Sequence, residues 1–128
     1  MRKKSQPFTE FAPVTVIDKT QITPFIASFP HSGMQIPHSL LPLYTPQHLS
    51  RLRNTDWFLP ELYCGISDLG FSVAQANFSR YVIDVNRALT TGMVGGFKHH
   101  PVYATDTWGD EILNDPECDM RIEERLPY

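Results

Sequence analysis

The sequence is poor in residues that would cross-link it or hold it in a membrane. Its 128 residues include only two cysteines, Cys64 and Cys118, which lie far apart in unlike contexts. They predict free thiols in a reducing compartment and argue against a disulfide framework or a cysteine metal pair. The longest apolar runs are about five residues, whereas a membrane-spanning helix needs roughly 20. No apolar stretch follows the basic residues 2–4, so we expect no signal peptide and a cytoplasmic location.

Positive charge is not clustered either. No group of Lys and Arg is interleaved with aromatic residues, so a nucleic-acid partner is not expected, and a membrane partner is not expected. The formal net charge is -3, but eight of the 14 acidic residues follow Ala104, and the part before them is mildly basic. A basic body would suit a small anionic substrate. The length and the hydrophobic content of 41% fit one globular domain.

Short apolar runs alternate with segments of helical spacing, which predicts an α/β layered domain. The predicted strands cover residues 14–17, 25–29, 71–76 and 81–85, the last two as antiparallel neighbours. The predicted helices cover residues 46–52, 56–69 and 116–126, with Thr45 and Asp115 as N-caps. We expect residues 1–13 to be a flexible lead-in and residues 89–110 to be a long active-site type of loop with a short strand at 102–103.

His31 stands where the central predicted strand ends. Residues 25–29 are apolar and aromatic-rich, and proline closes the run on both sides, which predicts a buried strand. In open α/β sheets the loops beyond the strand ends converge where ligands bind. Ser32 and Gly33 allow a tight turn and leave room beside the imidazole. His31 is therefore a candidate site residue, and the alternative is a loop histidine that caps a turn.

Asp56 stands at the N-terminal edge of the predicted helix over residues 56–69. A histidine and a carboxylate from separate loops are donors that a catalytic zinc uses, normally with a third protein ligand and a water. His31 and Asp56 are therefore candidate metal ligands. The alternative for Asp56 is an N-cap that satisfies free backbone amides.

Residues 79–87, with the sequence Ser-Arg-Tyr-Val-Ile-Asp-Val-Asn-Arg, are the most specific stretch. A guanidinium binds a carboxylate through two parallel hydrogen bonds, and a neighbouring amide such as that of Asn86 can fix the orientation. Arg80 and Arg87 can divide the work, one polarising a scissile carbonyl and the other anchoring a substrate carboxylate. The alternative is that both arginines are solvated strand ends. Asp84 is expected to buttress an arginine or a loop.

His99 and His100 are adjacent, and adjacent residues in an extended chain point to opposite sides. Both cannot easily reach one metal ion. A loop or substrate-lid role is therefore favoured over a ligand role for either histidine.

Several motifs occur together in one order. They are Phe-Pro-His-Ser-Gly at 29–33 with Ile-Pro at 36–37, Thr-Asp-Trp at 55–57 with Leu-Tyr at 62–63, and the stretch at 79–87. Weaker matches follow at 91–92, 121–122 and 127–128. By these motifs the chain resembles the N-formylglutamate amidohydrolase (deformylase) family over nearly all its length after about Val14. The Arg and Asp-x-Asn-Arg pattern more distantly resembles zinc carboxypeptidases and aspartoacylases.

The resemblance implies a three-layer zinc-peptidase-like α/β fold with a central mixed sheet. It also implies metal-assisted hydrolysis of N-formyl-L-glutamate to formate and L-glutamate, a late step of histidine breakdown. His31 and Asp56 would bind zinc, Arg80 would polarise the amide carbonyl, and Asn86 and Arg87 would hold the substrate carboxylate. Zinc would lower the pKa of its bound water from about 15.7 toward roughly 7.

The resemblance further implies that the chain is only part of this fold. Members of the family are longer, and their second half is expected to supply the remaining histidine ligand and the general base. Residues 14–128 are therefore predicted to be the N-terminal half of such a domain, with weak zinc binding and a homodimer covering its exposed sheet edge. Two alternatives remain beside an active deformylase. One is a catalytically inactive or self-associating relic, and the other is an amidohydrolase of another N-acyl acidic amino acid.

Overall fold

The computed structural model describes residues 12–18, 23–89 and 100–128. The predicted mixture of strands and helices is confirmed in these residues. The strands are β1 (Val14–Ile17), β2 (Ile26–Phe29) and β3 (Ser72–Ala76). The α-helices are α1 (Pro46–Arg51), α2 (Leu59–Leu62) and α3 (Pro116–Asp119), and 3₁₀-helices cover Leu41–Leu43 and Ile66–Leu69.

The three described strands form a small mixed sheet in the order β1-β3-β2. β3 runs antiparallel to β1, with Val14 opposite Ala76, and parallel to β2, with Ile26 opposite Ser72. The strand predicted at 25–29 is present as β2, but the prediction that it is buried is wrong. Because β2 is an outer strand, Ile26 is 73% exposed, and Phe29 is the residue of β2 that is buried.

The segments that follow β2 and β3 lie side by side. The backbone N–H of Gln35 donates to the carbonyl of Asn77 at 3.3 Å, and that of Ser79 donates to the carbonyl of Gln35 at 2.8 Å. A side chain at Gly33 would collide with the backbone of Asn77 and Phe78. Glycine is thus needed for this close approach. The pairing brings His31 next to residues 79–87.

The main hydrophobic core lies beyond the sheet. Its most buried members come from four separate segments and are Tyr44, Tyr81, Val82, Val102, Ile112 and Leu113. Residues 81–85 contain turns and irregular backbone and no strand, so the predicted strand there and its pairing with residues 71–76 are wrong. The backbone N–H of Val82 bonds to the Ser79 carbonyl at 2.8 Å, and the buried Arg125 side chain binds the carbonyls of Tyr81 and Val82. The apolar residues 81–83 are thus buried in the core without pairing as a strand.

The helix predictions are confirmed in one case and too long in two. Thr45 caps α1 through the backbone N–H of His48, as predicted. The predicted helix over 56–69 is wrong as one element, because the chain turns at Gly65 between α2 and the second 3₁₀-helix. In the predicted helix over 116–126, Asp115 caps α3 as expected. The helix ends at Asp119, whose carbonyl accepts a hydrogen bond from the side chain of Arg125, and turns follow.

Residues 102–103 do not form the predicted strand, and the nearest pairing is a bridge between Thr105 and Glu111. Residues 1–11 of the predicted lead-in and residues 90–99 of the predicted loop lie outside the described residues. Within the described part of the chain, none of the helices has the length and hydropathy to cross a bilayer.

Candidate active site

Asp84 is the centre of a cluster of hydrogen-bond donors. It is 1% exposed and lies in irregular backbone after β3, between the turns at residues 80–82 and 85–86. Its Oδ1 atom accepts from His31 Nε2 and from the backbone N–H of Asn86, both at 2.9 Å. Its Oδ2 atom accepts from Arg80 Nη2 at 2.9 Å and from the hydroxyl of Tyr103.

Asp84 is held in its ionised form. Burial opposes ionisation, but the hydrogen bonds from Tyr103, His31 and the backbone of Asn86 together keep the pKa of Asp84 below its usual range. Arg87 adds a second guanidinium, with Nε 3.6 Å from Oδ2. One buried negative charge therefore orients two arginines and one imidazole.

His31 is fixed through one ring nitrogen and open at the other. Because ionised Asp84 accepts, Nε2 of His31 is assigned the proton and Nδ1 keeps its lone pair. Nδ1 lies 3.9 Å from Oδ2 of Asp56. A carboxylate behind a histidine is the usual way to fix a metal-binding tautomer.

Asp56 lies at the surface beside His31. Its backbone N–H donates to the carbonyl of His31 at 3.0 Å, and its side chain is 44% exposed. The alternative role as a helix N-cap is wrong, because Phe58 occupies the N-cap of α2. The nitrogen of His31 and the oxygen of Asp56 form a donor pair of the type that zinc binds. Across residues 12–18, 23–89 and 100–128, no third His, Cys, Asp or Glu completes a metal-binding group.

Arg80 and Arg87 line a cavity of about 560 Å³. Other lining residues are Asn54, Tyr81, Tyr103, Thr105, Asp106 and Thr107. Arg80 Nη1 donates to the Asn54 carbonyl at 3.3 Å, while its buried Nε has no hydrogen-bond partner among the described residues. Arg87 Nη1 donates to the His100 carbonyl at 3.2 Å. The cavity is thus lined by two guanidiniums.

The structure brings His31, Asp56, Arg80 and Arg87 together around Asp84. Asn86 is exposed and contributes its backbone to Asp84, and the side chains that line the described cavity do not include it. His100 bonds through Nδ1 to the backbone of Val102 at 2.8 Å, in the loop role favoured over a ligand role. His99 lies outside the described residues.

Two residues of the site, Tyr103 and Asn54, are not among the predicted site residues. Tyr103 contacts both arginines and Asp84, but it stands in an irregular loop without a recognisable motif. Asn54 has a left-handed backbone with φ of 62°, and its Oδ1 accepts from the hydroxyl of Tyr81 at 2.9 Å. Asn54 also bonds to Thr107 at 3.1 Å and so joins two walls of the cavity. A turn-forming asparagine beside Asp56 is the one signal that could have indicated it.

Known proteins resemble this chain over half of its length or more. A sequence model of the N-formylglutamate amidohydrolase family matches residues 23–126. An N-formylglutamate deformylase of Pseudomonas putida is 41% identical over 64 residues, which are 50% of this chain and 24% of that protein. A second, from Pseudomonas aeruginosa, is 33% identical over 86 residues, or 67% of this chain and 29% of that protein.

A solved structure is similar in fold. The crystal structure of N-formylglutamate amidohydrolase from Ralstonia eutropha superposes with a TM-score of 0.72 at 21% identity. The match covers 91% of this chain and 47% of that one. The chain therefore spans less than half the length of each of these relatives.

Proposed function

The chain belongs to the N-formylglutamate amidohydrolase family, and from this premise we propose that it binds N-formyl-L-glutamate and takes part in its hydrolysis to formate and L-glutamate. The proposal includes the cytoplasmic setting and the place in histidine breakdown that this reaction implies. It also includes a zinc-peptidase-like layered domain, of which residues 14–128 form the N-terminal half.

The observation that carries the proposal is the pair of arginines in one cavity around a buried carboxylate. N-formyl-L-glutamate offers two carboxylates and one amide carbonyl. Arg87 is held by the backbone of His100 and by Asp84, which suits it to bind a carboxylate through its remaining donors. Arg80 lines the same cavity and is held by Asp84, which suits its guanidinium to stabilise the carbonyl oxygen, where negative charge develops during hydrolysis. Asn86, which is exposed and outside the cavity lining, is the further residue proposed to contact the carboxylate beside Arg87.

The donor pair of His31 and Asp56 fits a zinc ion, and we include zinc in the proposal. His31 would bind through Nδ1, the nitrogen that Asp84 leaves unprotonated, and Asp56 would bind through its exposed carboxylate. The chemistry that zinc supplies when bound is a water acidified toward neutral pH. Asp84 holds the imidazole in the ligating tautomer, and Arg80 stays fixed beside it by the same carboxylate.

One observation favours a second candidate, a chain that binds N-formyl-L-glutamate or another N-acyl acidic amino acid without turnover. A third metal-binding side chain is not found in the described residues. Two ligands alone give weak binding. A second copy of the chain that covers the exposed outer strands would be the expected partner in that case.

The test is the zinc content of the 128-residue chain after dialysis, together with formate release from N-formyl-L-glutamate. The variants are His31→Ala and, as the matched control, the exposed His38→Ala. About one zinc per chain and formate release, both lost in His31→Ala and kept in His38→Ala, would support the enzyme. Zinc-free protein that still binds N-formyl-L-glutamate would support the binding-only candidate. Failure to bind this compound at all would contradict the proposed hydrolysis of N-formyl-L-glutamate.

A further inference from the structure

Tyr103 touches every charged group that faces the cavity from residues 80–87. We propose that Tyr103 is a positioning residue, whose hydroxyl orients Arg80 and whose ring orients Arg87, so that the cavity accepts an amide carbonyl and a carboxylate at a fixed separation. The inference rests on the proposed function, because it concerns how the same cavity selects its ligand.

The hydroxyl of Tyr103 is fully engaged between two charged partners. It donates to Oδ2 of Asp84 and accepts from Nη2 of Arg80 at 2.9 Å. A phenol has one proton to give, and here that proton goes to the carboxylate. Burial, together with the hydrogen bond to Asp84, raises the pKa of Tyr103, so the hydroxyl remains a donor at neutral pH. The Nη2 group of Arg80 thereby donates to two acceptors, which fixes the guanidinium at the wall of the cavity.

The ring of Tyr103 acts on the other arginine. The guanidinium carbon of Arg87 lies 4.4 Å from the ring centroid, whereas that of Arg80 lies at 5.5 Å. The ring is itself fixed by an edge contact with Tyr81, with centroids 5.5 Å apart and planes at 70°. A cation over an aromatic face at this distance is attracted by the ring. The ring therefore packs against the guanidinium of Arg87 and holds it in position.

These two contacts can be removed one at a time. Tyr103→Phe keeps the ring beneath Arg87 and removes the bonds to Arg80 and Asp84. Tyr103→Leu removes both the hydroxyl and the ring. The matched control is Tyr128→Phe, which removes a tyrosine hydroxyl that bonds to Ser39 at 3.0 Å, from a ring packed on the same core.

The experiment is isothermal titration calorimetry of the 128-residue chain with two probes, N-formyl-L-glutamate and glutarate. Glutarate has carboxylates but no amide, so it reports on Arg87 without the carbonyl at Arg80. In Tyr103→Phe we expect binding of N-formyl-L-glutamate to weaken roughly three- to tenfold, while glutarate binding changes less than about twofold. In Tyr103→Leu we expect both probes to weaken, glutarate by about tenfold. Tyr128→Phe should bind both probes as the parent chain does.

The outcomes separate this inference from the proposed function. If the parent chain binds both probes and Tyr103→Phe matches Tyr128→Phe, the role of Tyr103 is overturned and the proposed function stands. A Tyr103→Phe variant that weakens both probes equally also overturns it, because a general loss of structure would act on both. If the parent chain binds neither probe, the proposed function fails, and the inference falls with it. If Tyr103→Leu does not fold, Tyr103→Phe alone decides.

Discussion

Replacement of Asp84 by asparagine should damage the site more than its small change in shape suggests. The groups that approach the two carboxylate oxygens are all donors, and they are His31 Nε2, the backbone N–H of Asn86, Arg80 Nη2, the Tyr103 hydroxyl and Arg87 Nε. Asparagine keeps one acceptor oxygen and places an NH₂ group at the other position. Whichever way the amide turns, donors then face donors.

The cost can be estimated from these contacts. Hydrogen bonds to a charged group contribute about 1.5–3 kcal/mol each, and two of them become unfavourable in either amide orientation. Arg80 and Arg87 are 18% and 25% exposed, so water recovers part of the loss. We expect Asp84→Asn to lower the free energy of unfolding by about 2–4 kcal/mol.

The same substitution should act on His31. The less costly orientation turns the new NH₂ toward Nε2, which can become an acceptor by moving its proton to Nδ1. Nδ1 is the nitrogen that faces Asp56 at 3.9 Å, and a protonated nitrogen does not bind a metal. Zinc affinity should therefore fall even where the variant remains folded.

Urea unfolding at pH 7, followed by circular dichroism, measures the first effect, and titration of zinc against a chelator measures the second. Asp56→Asn is the matched control, because its carboxylate is 44% exposed. We expect this control to lose zinc affinity but to change stability by less than about 0.5 kcal/mol. An Asp84→Asn variant as stable as Asp56→Asn would refute the role of Asp84 as the buried charge that holds the cluster together.

Two further predictions concern residues outside the cavity. Burial lowers the pKa of His48 to about 4, so unfolding takes up a proton between about pH 6.5 and pH 4, and stability should fall by about 3 kcal/mol as the pH drops through that range. His48→Phe keeps the ring between Tyr44 and Tyr81 and should flatten this part of the urea-derived stability profile; an unchanged slope would show that other groups cause it. Gly33→Ala should destabilise by about 1–3 kcal/mol, because its methyl group meets the backbone of residues 77–78. Gly65→Ala, with open space around it, should leave the stability measured by urea unfolding unchanged, and equal losses in the two variants would contradict the packing argument.

Local chemistry predicted part of the fold correctly. The β-branched run of β1, the alternation of β3 and the Thr45 cap of α1 are short-range signals, and each element appears where expected. Residues 81–85 carry an equally good strand signal. They form turns and irregular backbone because Arg125, 43 residues from Val82, satisfies their carbonyls from within the core. Such a long-range contact leaves no trace in the local pattern.

The candidate site, like the fold, was predicted only in part. Motif reasoning brings out His31, Asp56, Arg80 and Arg87, and the structure gathers them around Asp84. Asn86 faces solvent with its side chain exposed, although the motif pairs it with Arg87. Tyr103 could not be found in this way, because an aromatic residue in a loop becomes informative only once its neighbours in space are known.

The links that build the site also constrain when it can form during synthesis of the chain. His31 and Asp84 are 53 residues apart, Arg80 and Asn54 are 26 apart, and Tyr103 and Asp84 are 19 apart. Contacts of this separation require closed loops and cannot assemble locally. When Arg80 and Arg87 have left the ribosome, the nascent chain therefore carries both positive charges before the cavity can form. The ring that packs against Arg87 becomes available when Tyr103 emerges. The carbonyl of Val82 receives its hydrogen bond only after Arg125 follows.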